Sequence, residues 1–211
     1  MSVIDKKYLS IVSHYENCLA QYGDNHLGVD WPKKTDAETR YRIMLEIIKP
    51  CADRDVSLLD FGCGASHLYE HMLKRNMRGI IYAGLDLSEK FTQLSKNKFP
   101  GNKYYCLDIL GQSGQLPSFD YVVMNGVFTE KRELSFDDML AYFKQMLKTI
   151  FNKTAIGLAF NVMSKQVDWE REDLFHLPLE TLADFLTRQL SRNFVIRNDY
   201  GLHEYTTYVY K

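Results

Sequence analysis

The sequence predicts an α/β fold in which a mostly parallel β-sheet is covered by helices on both faces. Short apolar runs alternate with helix-like stretches along most of the 211 residues, a pattern typical of a sheet buried on both sides. The last two runs are separated only by residues 199–203, whereas a parallel crossover needs about a dozen residues or more. These two strands are therefore predicted to form an antiparallel hairpin. The predicted strands span residues 56–61, 80–86, 103–109, 119–125, 155–161, 194–198 and 204–210.

Several helices between these strands carry recognisable start and stop signals. Thr35 followed by Glu38 has the pattern of a capping box, and Pro50 is expected to end the helix that they open. Ser135 with Asp138 is expected to open a later helix, whose apolar residues recur at helical spacing. These signals place helices on either side of the predicted strands.

The N-terminal segment, residues 1–34, lies outside the α/β core, which we expect to span 35–211 of a single domain, 1–211. It contains an amphipathic stretch, roughly 4–21, followed by a polar loop. Two arrangements remain open from these residues. The segment either caps the ligand-binding edge of the sheet or packs against one of its faces.

Composition and charge exclude several classes of protein. The formal net charge of −1 argues against a broad nucleic-acid or anionic-membrane surface, so a nucleic-acid partner is not expected. The four cysteines lack CxxC spacing, which argues against a zinc site or a disulfide framework and fits a reducing, cytoplasmic location; no metal is expected. Neither a signal peptide nor a stretch of 18 or so apolar residues is recognised, so no membrane span is expected.

The loop after the first strand has the character of a nucleotide-binding turn. It begins at Asp60, and Gly62 and Gly64 permit a sharp turn and a close approach of backbone to ligand. A dinucleotide fingerprint would place a third glycine where His67 stands, and no GK[ST] follows for a P-loop. Binding of NAD or ATP by those two motifs is therefore disfavoured.

Polar residues end each of the first four predicted strands. Asp86 ends the second strand, 22 residues after Gly64, where a carboxylate can bind both hydroxyls of a ribose. Asp108 and Asn125 end the third and fourth strands, and Asp60, before the glycines, suits a cationic ligand. The alternative is that Asp60 and Asp108 are satisfied by nearby backbone amides. Four polar ends in order favour a ligand site that binds a sulfonium nucleotide.

The segments "LLDFGCG", "YAGLDLS", "YYCLDIL" and "FDYVVMNGVF" resemble the successive cofactor motifs of class I S-adenosylmethionine-dependent methyltransferases. The resemblance covers about 55–211 as a fold and is most specific at 58–64 and 84–87. It implies a Rossmann-like, seven-stranded sheet of order 3-2-1-4-5-7-6 with strand 7 antiparallel, helices on both faces and an N-terminal helical cap. It also implies S-adenosyl-L-methionine as the cofactor.

The same resemblance assigns individual residues to parts of the cofactor. Gly62 and Gly64 would flank the methionine portion, Asp60 would approach its ammonium group through water, and the backbone carbonyl of Asn125 would face that group. The residues implied to bind adenosine are Asp86 at the ribose, Leu87 and Ile109 on either side of adenine, and Asp108 at its amino group.

A narrower likeness extends to "GVDW", "ETRYRIML", "NGVFT", "AFNVMS" and "RNDYGLHEYTTYVY", which are similar to a group of small bacterial methyltransferases of mostly unassigned substrate. This likeness implies that Trp31 and Arg40 close over the cofactor and that Arg40 pairs with its carboxylate. The alternatives are a packed lid anchor for Trp31 and an exposed pair with Glu38 or Asp36 for Arg40. Some members belong to surface-polysaccharide gene sets, which implies a sugar, nucleotide-sugar or phosphate-containing acceptor.

The methyl acceptor is expected near the ends of the fourth and fifth strands and beside the final hairpin. Asn125 is followed by Gly-Val-Phe and not by the Pro-Pro-aromatic pattern expected for methylation of planar exocyclic amides. We expect His176 or His203 to act as a general base, with Asp199 as an alternative base or a turn-capping residue. The predicted substrate-binding residues are Asn161, Trp169, Arg171, Asn198, Asp199 and Tyr200.

The leading functional hypothesis is O- or N-directed methyl transfer to a small molecule. The alternatives are methylation of RNA or protein, a non-catalytic nucleotide-binding protein of the same fold, and an NAD-linked oxidoreductase. A homo-oligomeric state is left open. Arg171 and Trp169 also have structural interpretations that involve no substrate. Arg171 would then be a solvated surface charge, and Trp169 would anchor the loop.

Overall fold

The computed structural model describes residues 6–49 and 51–211 and is organised around a mixed β-sheet. The strands are β1 (Val56–Phe61), β2 (Ile80–Asp86), β3 (Lys103–Cys106), β4 (Phe119–Phe128), β5 (Thr154–Ser164), β6 (His176–Leu177), β7 (Phe194–Arg197) and β8 (Glu204–Tyr210). Their order is β3-β2-β1-β4-β5-β8-β7, and β6 pairs with β5 outside this path. All pairings are parallel except β5–β8 and β7–β8, so the predicted order and the terminal hairpin are confirmed.

The short strand β6 was not predicted from the sequence. It lies in the long connection after β5 and adds only two residues, so β7 and β8 correspond to the predicted sixth and seventh strands. The β1 and β2 ends agree with the prediction, whereas β3 stops at Cys106 and β4 continues to Phe128. The longer β4 carries the backbone past Asn125 and Gly126, beyond the point at which the sequence predicted its end.

Helices cover both faces of the sheet. They are α1 (Leu9–Tyr22), α2 (Lys34–Leu45), α3 (His67–Lys74), α4 (Glu89–Lys98), α5 (Ile109–Gln112), α6 (Phe136–Phe151) and α7 (Leu179–Gln189). One apolar core joins the sheet to α6 and α7 through residues such as Phe143 and Leu182. A second core lies on the other face, where Met44 of α2 and Leu68 of α3 are buried. The alternation of side chains along each strand supplies both cores.

The predicted helix caps had mixed outcomes. Ser135 is the N-cap of α6, and its hydroxyl accepts a hydrogen bond from the backbone N–H of Asp138 at 3.1 Å, as predicted. The predicted capping box at Thr35 was wrong, because Lys33 is the N-cap of α2 and Thr35 lies in its first turn. The helix ends at Leu45, and Pro50, the predicted stop, lies outside the described residues.

The N-terminal segment lies against the edge of the sheet formed by the carboxyl ends of the parallel strands. It comprises a 3₁₀ turn (Lys6–Tyr8), α1, and a second 3₁₀ turn (Leu27–Val29). Side chains from all three line the cavity described below, so the capping arrangement is the one observed. Across the described residues, no helix has the length and apolar character needed to cross a bilayer.

Candidate functional site

A cavity opens at the carboxyl ends of β1, β2 and β4 and beside α5, and the N-terminal segment forms its roof. It encloses about 1120 Å³ of space between protein atoms, part of it open to solvent. The predicted cofactor residues that line it are Trp31, Asp60, Gly62, Gly64, Asp86, Leu87, Asp108, Ile109 and Asn125. Their contacts with a cofactor remain predictions, but they all face one space.

The loop at residues 62–66 turns sharply because three of its residues adopt positive φ. Gly62 and Gly64 have φ of 73° and 50°, and Ser66, the N-cap of α3, has φ of 58°. A Cβ on Gly62 would lie 2.7 Å from a methyl of Val127, so a larger residue would not fit there. The Gly62 N–H donates to the Leu85 carbonyl at 2.7 Å. The loop is thereby held against the end of β2.

Asp86 combines a structural role with spare hydrogen-bonding capacity. One carboxylate oxygen accepts from the Gly64 N–H and the other from the Ser88 N–H, both at 2.9 Å. Each oxygen retains a further lone pair, which is what a ribose diol requires. Burial raises the pKa of Asp86 to about 6 against the opposing effect of these amides. Occupancy by backbone amides and binding of a ribose are therefore compatible at this carboxylate.

Asp60 is a buried carboxyl group at the floor of the cavity. Its side chain is only 2% exposed and accepts a hydrogen bond from the Tyr82 hydroxyl at 2.8 Å. Burial raises its pKa to about 7; the Tyr82 hydrogen bond opposes this rise and the nearby Asp86 charge adds to it. A cationic group in the cavity would favour the ionised form of Asp60.

Asp108 lies at the end of the cavity where adenine is predicted. Its two carboxylate oxygens accept from the Tyr8 hydroxyl at 2.7 Å and from the Leu110 N–H at 3.3 Å. Tyr8 also stacks on Tyr142, with ring centroids 5.1 Å apart and an interplanar angle of 16°. Both rings line the cavity and offer flat surfaces beside Ile109. Sequence reasoning missed this pair.

Asn125 presents an unsatisfied acceptor at the opposite end of the cavity. Among the contacts of the described residues, its buried side-chain Oδ1 has no hydrogen-bond partner. An unpaired buried acceptor is costly unless a ligand donates to it, and an ammonium group would do so. The sequence analysis assigned this task to the backbone carbonyl of Asn125. The structure adds the side-chain oxygen to that expectation.

Trp31 closes the cavity above Gly126. Gly126 has φ of 80°, and a Cβ there would lie 2.7 Å from the indole ring, so the contact requires glycine. The guanidinium carbon of Arg40 stacks over the same indole at 4.2 Å. Arg40 itself does not line the cavity. Its predicted pairing with a cofactor carboxylate therefore finds no support in the geometry. Trp31 lines the cavity, and its closure over a cofactor stays a prediction.

Arg40 belongs instead to a buried polar network that reaches the end of β4. Its Nε donates to Glu204 at 2.8 Å, and the Glu204 side chain is fully buried. The other Glu204 oxygen accepts from the Asn161 amide at 3.0 Å, and Asn161 Oδ1 accepts from the Gly126 N–H at 2.8 Å. Glu204 was not singled out from the sequence, and the suggested pairing of Arg40 with Glu38 or Asp36 is not what the structure shows.

The predicted substrate-binding residues do not line the cavity. Asn161 is completely buried in the network above, and the Tyr200 hydroxyl bonds Thr206 at 3.0 Å. Arg171 pairs with Asp173 and Asp199 with Arg197, both on the surface, while Trp169 is 70% exposed and Asn198 is exposed. None of these six residues lines the cavity in this structure, and their role in binding an acceptor stays a prediction.

The two predicted general bases also lie outside the cavity. His176 is buried in β6, where its Nδ1 lies 2.6 Å from the Ser164 carbonyl and its Nε2 accepts from the Arg171 N–H at 3.3 Å. With both ring nitrogens engaged, His176 has none free to take a proton from an acceptor. His203 is exposed in the hairpin turn, and its carbonyl accepts a hydrogen bond from the Ser164 N–H at 3.0 Å, at the end of β5. This geometry gives no support to a general-base role for either histidine, and that role stays a prediction.

The N-terminal segment supplies cavity residues that sequence reasoning passed over. Tyr8, Ile11, Val12 and Tyr15 line the cavity, and the Tyr15 hydroxyl donates to the Gly126 carbonyl at 3.3 Å. Their i, i+3, i+4, i+7 spacing is the available signal, but it is also the ordinary pattern of a core-facing helix. Only the docking of α1 over the sheet edge distinguishes the two.

Comparisons with known proteins relate this chain to methyltransferases. Residues 59–150 match a family model described as a methyltransferase domain. A curated Mycobacterium tuberculosis protein named as a methyltransferase, Rv1506c, is 25% identical over 160 residues, which are 74% of this chain and 93% of the relative.

Solved structures share the fold at low identity. The magnesium protoporphyrin IX methyltransferase of Synechocystis, solved with bound S-adenosylmethionine, is 16% identical with a TM-score of 0.63, covering 100% of this chain and 99% of that one. A TehB-like methyltransferase of Corynebacterium glutamicum is 15% identical with a TM-score of 0.57, covering 95% and 100%. Together these comparisons show that the chain has the fold of class I S-adenosylmethionine-dependent methyltransferases and that its residues 59–150 are similar to a methyltransferase domain.

Proposed function

We propose that this protein transfers the methyl group of S-adenosylmethionine to a hydroxyl or amine of a small-molecule acceptor. The observation that carries the proposal is the single cavity lined by Asp60, Asp86, Asp108 and Asn125, each at the carboxyl end of a different strand. When bound, the cofactor supplies an electrophilic methyl group on a sulfonium. The protein residues need only bind, orient and shield the two reactants.

The donor groups of the cofactor match the acceptors of the cavity. Asp86 has lone pairs for the ribose hydroxyls, and Leu87 and Ile109 provide apolar surfaces for adenine. The buried Asn125 Oδ1 and the Asp60 carboxyl suit the ammonium group of the methionine portion. These residues account for the ribose, the adenine and the charged end of the cofactor without any metal.

The roof of the cavity supports a small acceptor. Tyr15 of α1 and Trp31 lie over the end of β4, where Gly126 contacts both. Their cover over this end of the cavity favours a small acceptor over a macromolecule. Because proximity and orientation supply much of the acceleration in a displacement of this kind, a closed roof is useful to the reaction. A sugar, nucleotide-sugar or phosphate-containing precursor of a surface polysaccharide is the acceptor class we propose to test first.

Cofactor binding is tested by calorimetry with S-adenosylmethionine, its demethylated product and NAD. Both sulfur nucleotides are expected to bind, and Asp86→Ala is expected to weaken their binding by about 10- to 100-fold, since hydrogen bonds to a charged group contribute about 1.5–3 kcal/mol. Asp184→Ala is the matched control, because Asp184 is exposed on α7. Binding of NAD without a response to either sulfur nucleotide would overturn the proposal.

The acceptor is tested with isotopically labelled methyl donor and fractionated extract of the source organism. Label is expected in a small-molecule fraction, and treatment of that fraction with a sugar-specific hydrolase then tests the proposed class. Label confined to RNA or protein would replace the small-molecule assignment while leaving the methyltransferase activity intact. Label in no fraction, despite tight cofactor binding, would favour a non-catalytic nucleotide-binding protein.

A further inference from the structure

Three ligand-type side chains converge behind the wall of the cavity. His14 and Cys18 lie four residues apart on one face of α1, and Asp30 follows the turn at 27–29 with φ of 56°. The His14 Nε2 atom lies 2.7 Å from Asp30 Oδ2 and 3.8 Å from Cys18 Sγ. All three atoms lie within 4.8 Å of one another.

Imidazole, thiolate and carboxylate are the ligands that Zn²⁺ takes in proteins, at about 2.0–2.1 Å for nitrogen, 2.3 Å for sulfur and 2.0–2.2 Å for oxygen. A tetrahedral ion with these bond lengths separates its donor atoms by about 3.3–3.6 Å. The distances from His14 Nε2 to Asp30 and Cys18, 2.7 and 3.8 Å, lie on either side of that range. To reach that range, the His14–Asp30 separation would lengthen by about 0.6 Å and the His14–Cys18 separation would shorten by about 0.2 Å.

Hydrogen bonding among these three groups leaves one of them poorly satisfied. The same nitrogen of His14 faces both the Asp30 carboxylate and the Cys18 thiol, and one N–H donates well to only one of them. A cation at the centre would interact with all three at once.

A second cluster of metal-ligand-type side chains differs from the first because a lysine neutralises its carboxylates. Asp24, His67 and Glu70 also place ligand atoms close together, but the ammonium group of Lys98 lies 2.8 Å from Asp24 and 2.6 Å from Glu70. That cluster therefore contains its own cation. In the part of the chain that the structure describes, no lysine or arginine nitrogen lies within 4.0 Å of the Asp30 carboxylate.

We propose that His14, Cys18 and Asp30 bind a divalent transition-metal ion of the Zn²⁺ type. Three protein ligands leave a fourth position open, as in sites that bind water or a further ligand. The ion would join α1 to Asp30, whose neighbours Val29 and Trp31 line the cavity. The sequence analysis expected no metal because it searched for CxxC spacing, and two ligands one helical turn apart do not have it. The inference goes beyond methyl transfer and does not depend on it.

The test is a titration of the full-length, chelator-treated protein with Co²⁺, followed by optical absorption. A thiolate ligand produces a sulfur-to-cobalt charge-transfer band, which is expected in the wild type at one equivalent and is expected to disappear on addition of Zn²⁺. Cys18→Ser should abolish the band. Cys106→Ser, which alters an exposed free thiol, should leave it unchanged.

The affinity for Co²⁺ provides a second measurement that does not depend on folding of the cysteine variant. Asp30→Asn alters a partly exposed side chain and is expected to weaken Co²⁺ binding by about tenfold or more. Absence of the band in the wild type, its survival in Cys18→Ser, or unchanged affinity in Asp30→Asn would each overturn the proposal. None of these results depends on methyl transfer, so the two proposals fail separately.

Discussion

At the scale of single residues, burial controls the chemistry of the cavity. Asp60 and Asp86 are carboxyl groups whose pKa values burial raises to about 7 and about 6, well above an ordinary aspartate. Each therefore changes charge near neutral pH, and each is predicted to meet a donor or a cationic group of the cofactor. Binding and protonation should compete at these two positions.

The first prediction is that cofactor affinity falls as the pH is lowered. Below a pKa of about 6, each further pH unit should weaken binding about tenfold for the Asp86 carboxylate alone. Calorimetry with S-adenosylmethionine between about pH 8 and about pH 5 measures this slope, with buffers of different ionisation enthalpy to count the protons released. Asp86→Asn should flatten the part of the slope near pH 6; a slope identical to that of the wild type would contradict the assignment.

The same shifts determine how the unliganded protein responds to pH. Because the folded pKa values exceed the unfolded value of about 4, the folded state binds more protons than the unfolded state between about pH 4 and pH 7. The contribution of Asp60 and Asp86 to stability is present at the acidic end and is lost as the pH rises. Urea unfolding of the Asp86→Asn variant should show a weaker loss over this range than the wild type.

At the scale of elements, one buried network joins four of them at the end of the cavity where the methionine portion of the cofactor is predicted. Glu204 of β8 connects to Arg40 of α2 and to Asn161 of β5, and Asn161 holds the Gly126 amide of β4. The stack of Arg40 on Trp31 then extends the network to the roof. A buried charge in such a position is stable only because every partner is present.

The second prediction concerns Glu204→Gln. The substitution keeps the shape of the side chain but leaves the Arg40 guanidinium, which is 11% exposed, without its counter-charge. Breaking a buried pair costs about 3–5 kcal/mol, so the free energy of unfolding in urea should fall by roughly that amount. Asp199→Asn is the control, because the Arg197–Asp199 pair is more exposed and should contribute about 1 kcal/mol or less. Equal effects of the two substitutions would contradict the role assigned to the network.

At the scale of the whole molecule, the N-terminal segment and the α/β core meet around the cavity. The Tyr8 hydroxyl bonds Asp108, the Ser88 hydroxyl donates to Glu16 at 2.6 Å, and Lys90 pairs with Glu16 at 2.7 Å. These contacts lie on the rim of the predicted cofactor site. A ligand that fills the cavity therefore contacts the segment and the core together, and it should stabilise their association.

The third prediction is that bound cofactor protects α1 from hydrogen exchange. At a concentration 100 times the dissociation constant, a ligand adds about 2.7 kcal/mol, so amides that exchange by opening of the roof should slow about 100-fold. Mass spectrometry of peptides from residues 9–22 and 27–31 measures this effect. Peptides from α7, which does not line the cavity, should slow much less. Equal protection of α1 and α7 would mean that the segment does not close over the ligand.

The order of the strands and the part of the site predicted to bind the methyl donor could be predicted because the sequence signals for both are local. Gly62, Gly64, Asp86 and Asn125 follow apolar runs directly, and parallel strands bring their carboxyl ends to one edge whatever else the chain does. The terminal hairpin followed from a short connection. The sequence by itself therefore determined the fold class and most of the strand-end residues that line the cavity, while their contacts with a methyl donor stay predictions.

Only the tertiary structure decided that the N-terminal segment covers the cavity and which contacts the predicted acceptor residues make. Asn161 is buried because β8 pairs beside β5 and presents Glu204 to it, and His176 is engaged because β6 brings it to the Ser164 carbonyl. Likewise, His14 meets Asp30 only because the chain folds back after α1. Such contacts join residues whose partners lie far away in the sequence or across a turn, and no local pattern of polarity specifies which of them will be buried.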